Sequence, residues 1–127
     1  MESPPQFSRR ERQIIDILYA RGASTVMEVL AEMPDPPSDK SVRGRLDVME
    51  KKGHVKRRKR GRENIYAPTL PRKRAGQQAL KHLLETFFNG GLDDAVVSHL
   101  ESPKSRVSEE ELENIRAAIE QAREEGR

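Results

Sequence analysis

The chain has 127 residues, of which 34% are hydrophobic and 35% are Asp, Glu, Lys or Arg. This length allows one domain of ordinary size with an appendage and excludes two independent large cores. The absence of cysteine excludes disulfides and thiolate metal sites, and no apolar run approaches the roughly 20 residues of a membrane span. We therefore expect a cytoplasmic protein with no membrane partner.

The net charge of +3 is distributed unevenly along the chain. Residues 1–70 contain 15 Lys or Arg and 10 Asp or Glu, whereas residues 71–127 contain 9 and 11. The first part therefore carries a net charge of +5 and the second a net charge of −2. The basic part is the one suited to a phosphate backbone.

The first predicted element is a helix over residues 9–21. Ser8 and Glu11 match the capping-box pattern, in which each side chain accepts a hydrogen bond from the other residue's backbone N–H. Gly22 is a typical end for this helix. The apolar residues at helical spacing are Ile14, Ile15 and Leu18.

Two shorter helical patterns follow. Thr25 opens a second capping box, and the short helix behind it is expected to end at Pro34. Ser38 or Asp39 can cap a third helix, which would run over about residues 39–52. Its apolar face would consist of Val42, Leu46 and Met49.

A basic hairpin is predicted after the third helix. Residues 54–58 and 64–68 have strand composition and flank a polar connection that contains Gly61. Between Lys51 and Arg62 the chain carries eight Lys or Arg and no acid. A run of this kind in isolation is also typical of a solvated segment, but the flanking strand patterns favour a folded element.

Three helices followed by a basic hairpin is the element order of a winged helix, the helix-turn-helix variant with a two-stranded wing. We expect the wing, residues 54–67, to leave its tip at residues 58–62 free. The residues that would pack it on the helices are Val55, Ile65 and Tyr66.

The polar face of the third helix is the expected base-reading surface. In helix-turn-helix proteins the N-terminal part of this helix enters the major groove, where Lys and Arg can bind guanine and Ser can bind base or phosphate. The wing cations would bind the backbone or a narrow minor groove. The predicted DNA-binding residues are Lys40, Ser41, Arg43, Gly44, Arg45, Lys51, Arg57, Arg58, Lys59, Arg60 and Arg62.

Residues 71–127 are predicted to form three amphipathic helices, the last of which begins with a capping box at Ser108 and Glu111. Helices of this size do not form a core alone, so we expect them to pair with a second copy of the chain in a two-fold homodimer. The predicted dimerisation residues are Leu80, Leu83, Leu84, Phe87, Phe88, Val96, Leu100, Leu112, Ile115 and Ile119.

The resulting fold prediction is mostly α with a small β wing. It consists of a winged helix-turn-helix DNA-binding domain over residues 1–70 and a helical dimerisation region over residues 71–127. No catalytic triad, P-loop or dinucleotide fingerprint is present, so we predict no enzyme, no cofactor and no metal site. Two alternatives to a DNA-binding repressor remain open: a regulator that senses a small ligand, and a module that binds an acidic protein.

Seven collinear segments resemble the penicillinase-repressor family of winged-helix transcriptional repressors, the BlaI, MecI and CopY type. They are SRRERQII (residues 8–15), GASTVMEV (22–29), SDKSVRGRL (38–46), MEKKGHV (49–55), IYAP (65–68), FFNGG (87–91) and SEEELENI (108–115). The resemblance covers nearly the whole chain. It implies a homodimeric repressor that binds a palindromic double-stranded DNA operator in its own or a neighbouring promoter.

Three departures from the family pattern bear on regulation. Gly44 stands where the family often has a second Thr in the recognition helix. The β-lactam-responsive members are cut at an Asn-Phe bond in the helical C-terminal region, and the approximate counterpart here is Ser98-His99. The copper-responsive branch uses a C-terminal cysteine motif, which this chain lacks. An unidentified upstream sensor or protease therefore stays open as a partner, as do the operator sequence, the regulated genes and the inducing signal.

Overall fold

The computed structural model describes residues 6–126, which form two compact units: one extends to His82 and the other begins at Leu83. In this part of the chain no helix is long and apolar enough to cross a membrane. The elements in chain order are α1 (Arg9–Arg21), α2 (Val26–Ala31), α3 (Asp39–Lys51), β1 (Val55–Arg60), β2 (Glu63–Pro68), α4 (Arg72–Phe87), α5 (Leu92–Glu101) and α6 (Glu109–Glu124).

This element order confirms the predicted fold class, a mostly helical chain with a small β wing. The division of the chain into a DNA-binding domain over residues 1–70 and a dimerisation region over residues 71–127 stays a prediction, and residues 1–5 of that first domain lie outside the described residues.

The predicted capping box at the start of α1 is present. The backbone N–H of Ser8 donates to Oε1 of Glu11 at 2.9 Å, and the N–H of Glu11 donates to the Ser8 hydroxyl at 3.2 Å. Gly22 ends the helix with φ of +90°, a conformation that favours glycine. Local hydrogen bonding therefore fixes both ends of α1, as the sequence indicated.

The second and third helices differ slightly from their predicted limits. The α2 helix ends at Ala31, before the expected stop at Pro34, although Met33 beyond it is still buried in the core. Of the two candidate caps of α3, Ser38 is the one used, because its hydroxyl accepts from the backbone N–H of Ser41 at 3.1 Å.

The hydrophobic core of the first unit lies between α1, α2, α3 and the wing. The inward face of α3 is the predicted one, since Val42, Leu46 and Met49 are fully buried. The buried apolar cluster consists of Ile14, Ile15, Leu18, Val26, Val29, Met33, Val42, Leu46, Met49, Val55 and Tyr66. This core holds α3 with one face inside and the other in solvent.

The wing is longer and more regular than predicted. Its strands pair antiparallel from Val55 with Pro68 to Arg60 with Glu63, so only Gly61 and Arg62 connect them. The expected five-residue connection was wrong because the polar residues on either side of the turn continue the ladder. Gly61 has φ of +64°, as the first central position of a type II′ turn requires.

The wing is fixed to the helices through the edge of β2 and through its buried side chains. Tyr66 in β2 exchanges two backbone hydrogen bonds with Ser24, at 2.8 and 3.0 Å, so the connection from α1 to α2 extends the sheet by one bridge. Val55, Ile65 and Tyr66 are buried, as predicted. The hairpin is thus part of the fold and not a solvated arm.

The second unit contains the end of α4 together with α5 and α6. Asn89 and Gly90, both with positive φ, end the α4 segment, and a third capping box at Ser108 and Glu111 begins α6. Between Leu83 and Gly126 no residue is buried in this single chain. The helices of this unit therefore leave most of their large apolar side chains exposed.

Candidate nucleic-acid interface

The outer side of α3 is accessible over its N-terminal half. Four of the predicted DNA-binding residues lie there, and all four are exposed: Lys40 and Gly44 opposite the buried residues of the helix, and Ser41 and Arg43 on its flanks. A Cβ atom added to Gly44 would meet no atom within 4 Å. The N-terminal half of α3 is therefore an unobstructed polar surface.

The wing presents its cations on both faces and at its turn. Arg57 and Lys59 share the face of the sheet that carries Tyr66, whereas Arg58 and Arg60 lie on the opposite face, because side chains alternate along a strand. An open groove of about 460 Å³ is lined by Arg57, Arg58, Lys59 and Asn64.

One cleft brings the third helix and the wing together. It has a volume of about 270 Å³, and we call it the recognition cleft. Arg43 from α3 and Arg62 from the turn of the wing line the same open space. The full lining is Thr25, Val26, Met27, Arg43, Arg62, Glu63, Asn64 and Tyr66. Two predicted DNA-binding residues that are distant in sequence therefore line the same cleft.

Ion pairs divide the predicted DNA-binding cations into two groups. Within residues 6–126 no hydrogen bond or ion pair engages the side chains of Lys40, Arg43, Lys51, Arg58, Lys59 and Arg62. The engaged cations are Arg45, 4.0 Å from Glu11; Arg57, 3.7 Å from Glu50; and Arg60, 3.4 Å from Glu28 and 3.9 Å from Glu63. The expectation that the whole wing tip is free was therefore wrong for Arg60.

Glu11 is a buried carboxylate that connects α1 to α3. It is only 2% exposed, and Lys52 donates to its Oε2 at 3.3 Å, with Arg45 also near. The backbone N–H of Ser8 lowers the pKa of Glu11, and Lys52 lowers it further, against the opposing effect of burial. The sequence indicated only the capping role of Glu11, because its contact with α3 depends on tertiary packing.

Glu28 is a second carboxylate that the sequence indicated only as a cap. Its Oε1 accepts from the backbone N–H of Thr25 at 2.9 Å, and its Oε2 accepts from Arg21 at 2.8 Å. The Thr25 hydrogen bond is the largest cause of the lowered pKa of Glu28. Arg60 of the wing approaches the same carboxylate, so three elements meet at this side chain.

A small cavity lies beside α1, outside the recognition cleft. The ring of Phe7 packs edge-on against His54 at 4.9 Å, and the guanidinium of Arg12 lies 4.8 Å from the centre of the same ring. The cavity volume is about 90 Å³. This is room for about three water molecules, whereas ligand pockets usually begin at about 300 Å³.

No group of three His, Asp or Glu side chains that could hold a metal ion occurs between residues 6 and 126.

The predicted dimerisation residues form exposed apolar positions on α4, α5 and α6. Phe87 is 73% exposed, and Ile115 and Ile119 are each almost half exposed. Leu84 and Phe88 are partly buried. The remaining exposed members are Leu80, Leu83, Val96, Leu100 and Leu112.

A three-helix unit with an accessible third helix and an attached basic hairpin is a winged helix-turn-helix domain of the DNA-binding class. The chain belongs to the penicillinase-repressor family: the family model described as "Penicillinase repressor" matches residues 7–121. This membership confirms the predicted family and the predicted class, a DNA-binding transcriptional repressor.

Two known proteins illustrate the similarity. A penicillinase repressor from Bacillus licheniformis is 25% identical over 123 residues, which are 95% of this chain and 94% of that protein. The crystal structure of a "Possible transcriptional regulator for arsenical resistance" is 27% identical, with 69% of this chain and 84% of that chain covered and a TM-score of 0.43.

Proposed function

We propose that the protein represses transcription as a homodimer bound to a palindromic operator, with α3 in the major groove and the wing on the backbone or in the minor groove. The observation that carries this proposal is the recognition cleft. Arg43 and Arg62 line it from two elements, and neither guanidinium is held by a carboxylate in the described chain. An open cleft with two unpaired guanidinium groups is suited to DNA, because a guanidinium group can bind either the edge of a guanine or a phosphate.

The exposed N-terminal half of α3 would read the bases. Lys40 and Arg43 would bind guanine O6 and N7, and Ser41 would bind either a base or a phosphate. Gly44 would leave a gap, or allow close approach of the helix to the base pairs. These assignments rest on the accessibility of the four positions and on the docking geometry of helix-turn-helix proteins.

The unpaired wing cations would supply affinity that does not depend on sequence. Arg58, Lys59 and Arg62, with Lys51 at the end of α3, would each neutralise a phosphate and release counterions. The engaged cations would contribute less, because a phosphate has to compete with the carboxylate that already holds each of them. The engaged members of the predicted set are Arg45, Arg57 and Arg60.

The homodimer would bury the apolar positions of α4, α5 and α6. Apolar side chains that recur on one side of α6, such as Leu112, Ile115 and Ile119, are typical of a helix that packs against a partner. A two-fold pair would place two copies of α3 on half-sites about one helical turn apart, roughly 34–36 Å. Residues 71–127 would in this way set the operator spacing, while residues 1–70 would set its sequence.

The signal that relieves repression would act through a partner that senses it. The Ser98-His99 bond, the approximate counterpart of the family cleavage site, lies within α5, and His99 is 3.1 Å from the hydroxyl of Ser105. A protease that cuts there would have to accept Ser-His in place of Asn-Phe.

A salt-titrated binding assay tests the proposed function. The purified chain is titrated against the DNA upstream of its own gene and against a random duplex of equal length, from low to moderate salt. We expect a large operator-to-random ratio and a steep loss of affinity with salt on both duplexes. Weak and equal binding to both would refute operator recognition and favour the module that binds an acidic protein.

A further inference from the structure

The carboxylate of Glu28 lies where a wing cation and two other elements converge. Arg21 from the end of α1 donates to it at 2.8 Å, and Arg60 from the end of β1 approaches its other oxygen at 3.4 Å. The Thr25 backbone N–H fixes its orientation. Glu28 is therefore held in place by contacts within the helices, and Arg60 reaches it from the wing.

Arg60 belongs to the most cationic part of the wing. It lies one residue before the turn, between Lys59 and Gly61, and the neighbouring cations Arg58 and Arg62 have no carboxylate partner in the described chain. A carboxylate and a phosphate present the same kind of acceptor to a guanidinium group. The N–H groups of Arg60 that donate to Glu28 are thus the same groups that would donate to a DNA phosphate.

We propose that Glu28 is an internal competitor of DNA phosphates for Arg60, and that it lowers the affinity of the wing for any duplex. The proposal rests on the proposed DNA binding. Glu28 stays ionised at neutral pH, because the Thr25 N–H and Arg21 lower its pKa. The competition is therefore present under the conditions in which a repressor works.

The size of the effect follows from the exposure of the pair. The Arg60 side chain is 55% exposed and that of Glu28 is 34% exposed, so solvent screens their attraction. Arg60 also lies 3.9 Å from Glu63, a longer contact that a change at Glu28 does not remove. Loss of an exposed ion pair of this kind should change the DNA-binding constant by at most about fivefold.

The test is a double-mutant cycle with Glu28→Gln and Arg60→Ala in the full-length chain. Glutamine keeps the capping box, because the pattern accepts Glu or Gln at this position, and it removes only the charge. We expect Glu28→Gln to tighten binding to a random duplex by about two- to fivefold per bound protomer. Arg60→Ala should then cost more affinity, and more of the salt dependence, in the Glu28→Gln background than in the wild type.

Glu32→Gln is the matched control. Glu32 also pairs with Arg21, at 3.2 Å, and it has no contact with a wing cation among the described residues. This variant loses the same charge from the same region, so the Arg60→Ala effect should equal that in the wild type. Equal gains for both Gln variants, with an Arg60→Ala effect that is the same in all backgrounds, would overturn the proposal for Glu28.

The cycle separates this inference from the proposed function. A wild-type chain that binds no duplex in a salt-dependent manner would overturn DNA binding itself. A wild-type chain that binds duplexes but shows no coupling between Glu28 and Arg60 would overturn only the competition.

Discussion

Replacement of Arg62 by alanine isolates one unpaired wing cation. Arg62 lies at the two-residue turn, lines the recognition cleft and has no carboxylate partner within residues 6–126, so its charge is available to a phosphate. Each phosphate contact contributes about 0.9 to the slope of log affinity against log salt, and a homodimer would lose about 1.8. When the salt is raised from about 50 to about 200 mM, the wild-type dimer should therefore lose about 12-fold more DNA affinity than the Arg62→Ala dimer.

The assay is fluorescence anisotropy with labelled operator and random duplexes at four or more salt concentrations. Phosphate contacts carry no sequence information, so Arg62→Ala should lower both slopes equally and leave the operator-to-random ratio nearly unchanged. Arg12→Ala removes the same charge from the cavity beside Phe7 and should not change the slope. A wild-type slope for Arg62→Ala, or a selective loss on the operator, would refute the phosphate role.

Four further measurements test the fold and the assembly. Leu83→Asp should shift the sedimenting mass towards the monomer, because it places a charge among the apolar positions of α4; an unchanged mass would contradict the dimer surface. Leu46→Ala should lower the free energy of unfolding by about 2–5 kcal/mol in a denaturant titration, since the side chain is fully buried. Gly61→Ala should lower the melting temperature, because a side chain at the positive φ of this turn position costs about 1–3 kcal/mol. The pKa of Glu11 is lowered in the folded chain, so the ionised side chain stabilises the fold above the ordinary Glu pKa. This stabilisation is lost as the pH falls through the lowered pKa. The free energy of unfolding of Glu11→Gln should therefore depend less on pH in the acid range than that of the wild type.

Much of the fold was predictable because its signals are local. The three capping boxes were read directly from pairs of residues three apart, and they mark helix starts in the structure. The buried face of α3 followed from helical periodicity alone. The turn of the wing was less predictable, because consecutive basic residues such as Arg58, Lys59 and Arg60 show no alternation that would tell a strand from a loop.

The candidate interface was predictable in composition but not in its internal contacts. The density of Lys and Arg and their position after the third helix indicated the candidate surface. Which of these cations are already engaged depends on contacts with Glu11 and Glu28, which lie far away in sequence from Arg45 and Arg60. It also depends on the contact between Glu50 of α3 and Arg57 of β1, which the packing of the wing on the helix creates. A capping glutamate satisfies its local pattern in the sequence, so nothing in that pattern indicates a second partner.

The open space around Gly44 links recognition to thermal stability in an unexpected way. Glycine in a helix interior costs about 1 kcal/mol relative to alanine, and a side chain at this position would meet no atom of the protein. Almost any replacement would therefore stabilise α3 while changing the surface that α3 would present to the major groove in the proposed complex. If the proposed function holds, laboratory evolution towards a new operator can begin at this position without first weakening the fold, and a variant selected there for heat resistance would be expected to change its operator preference as well.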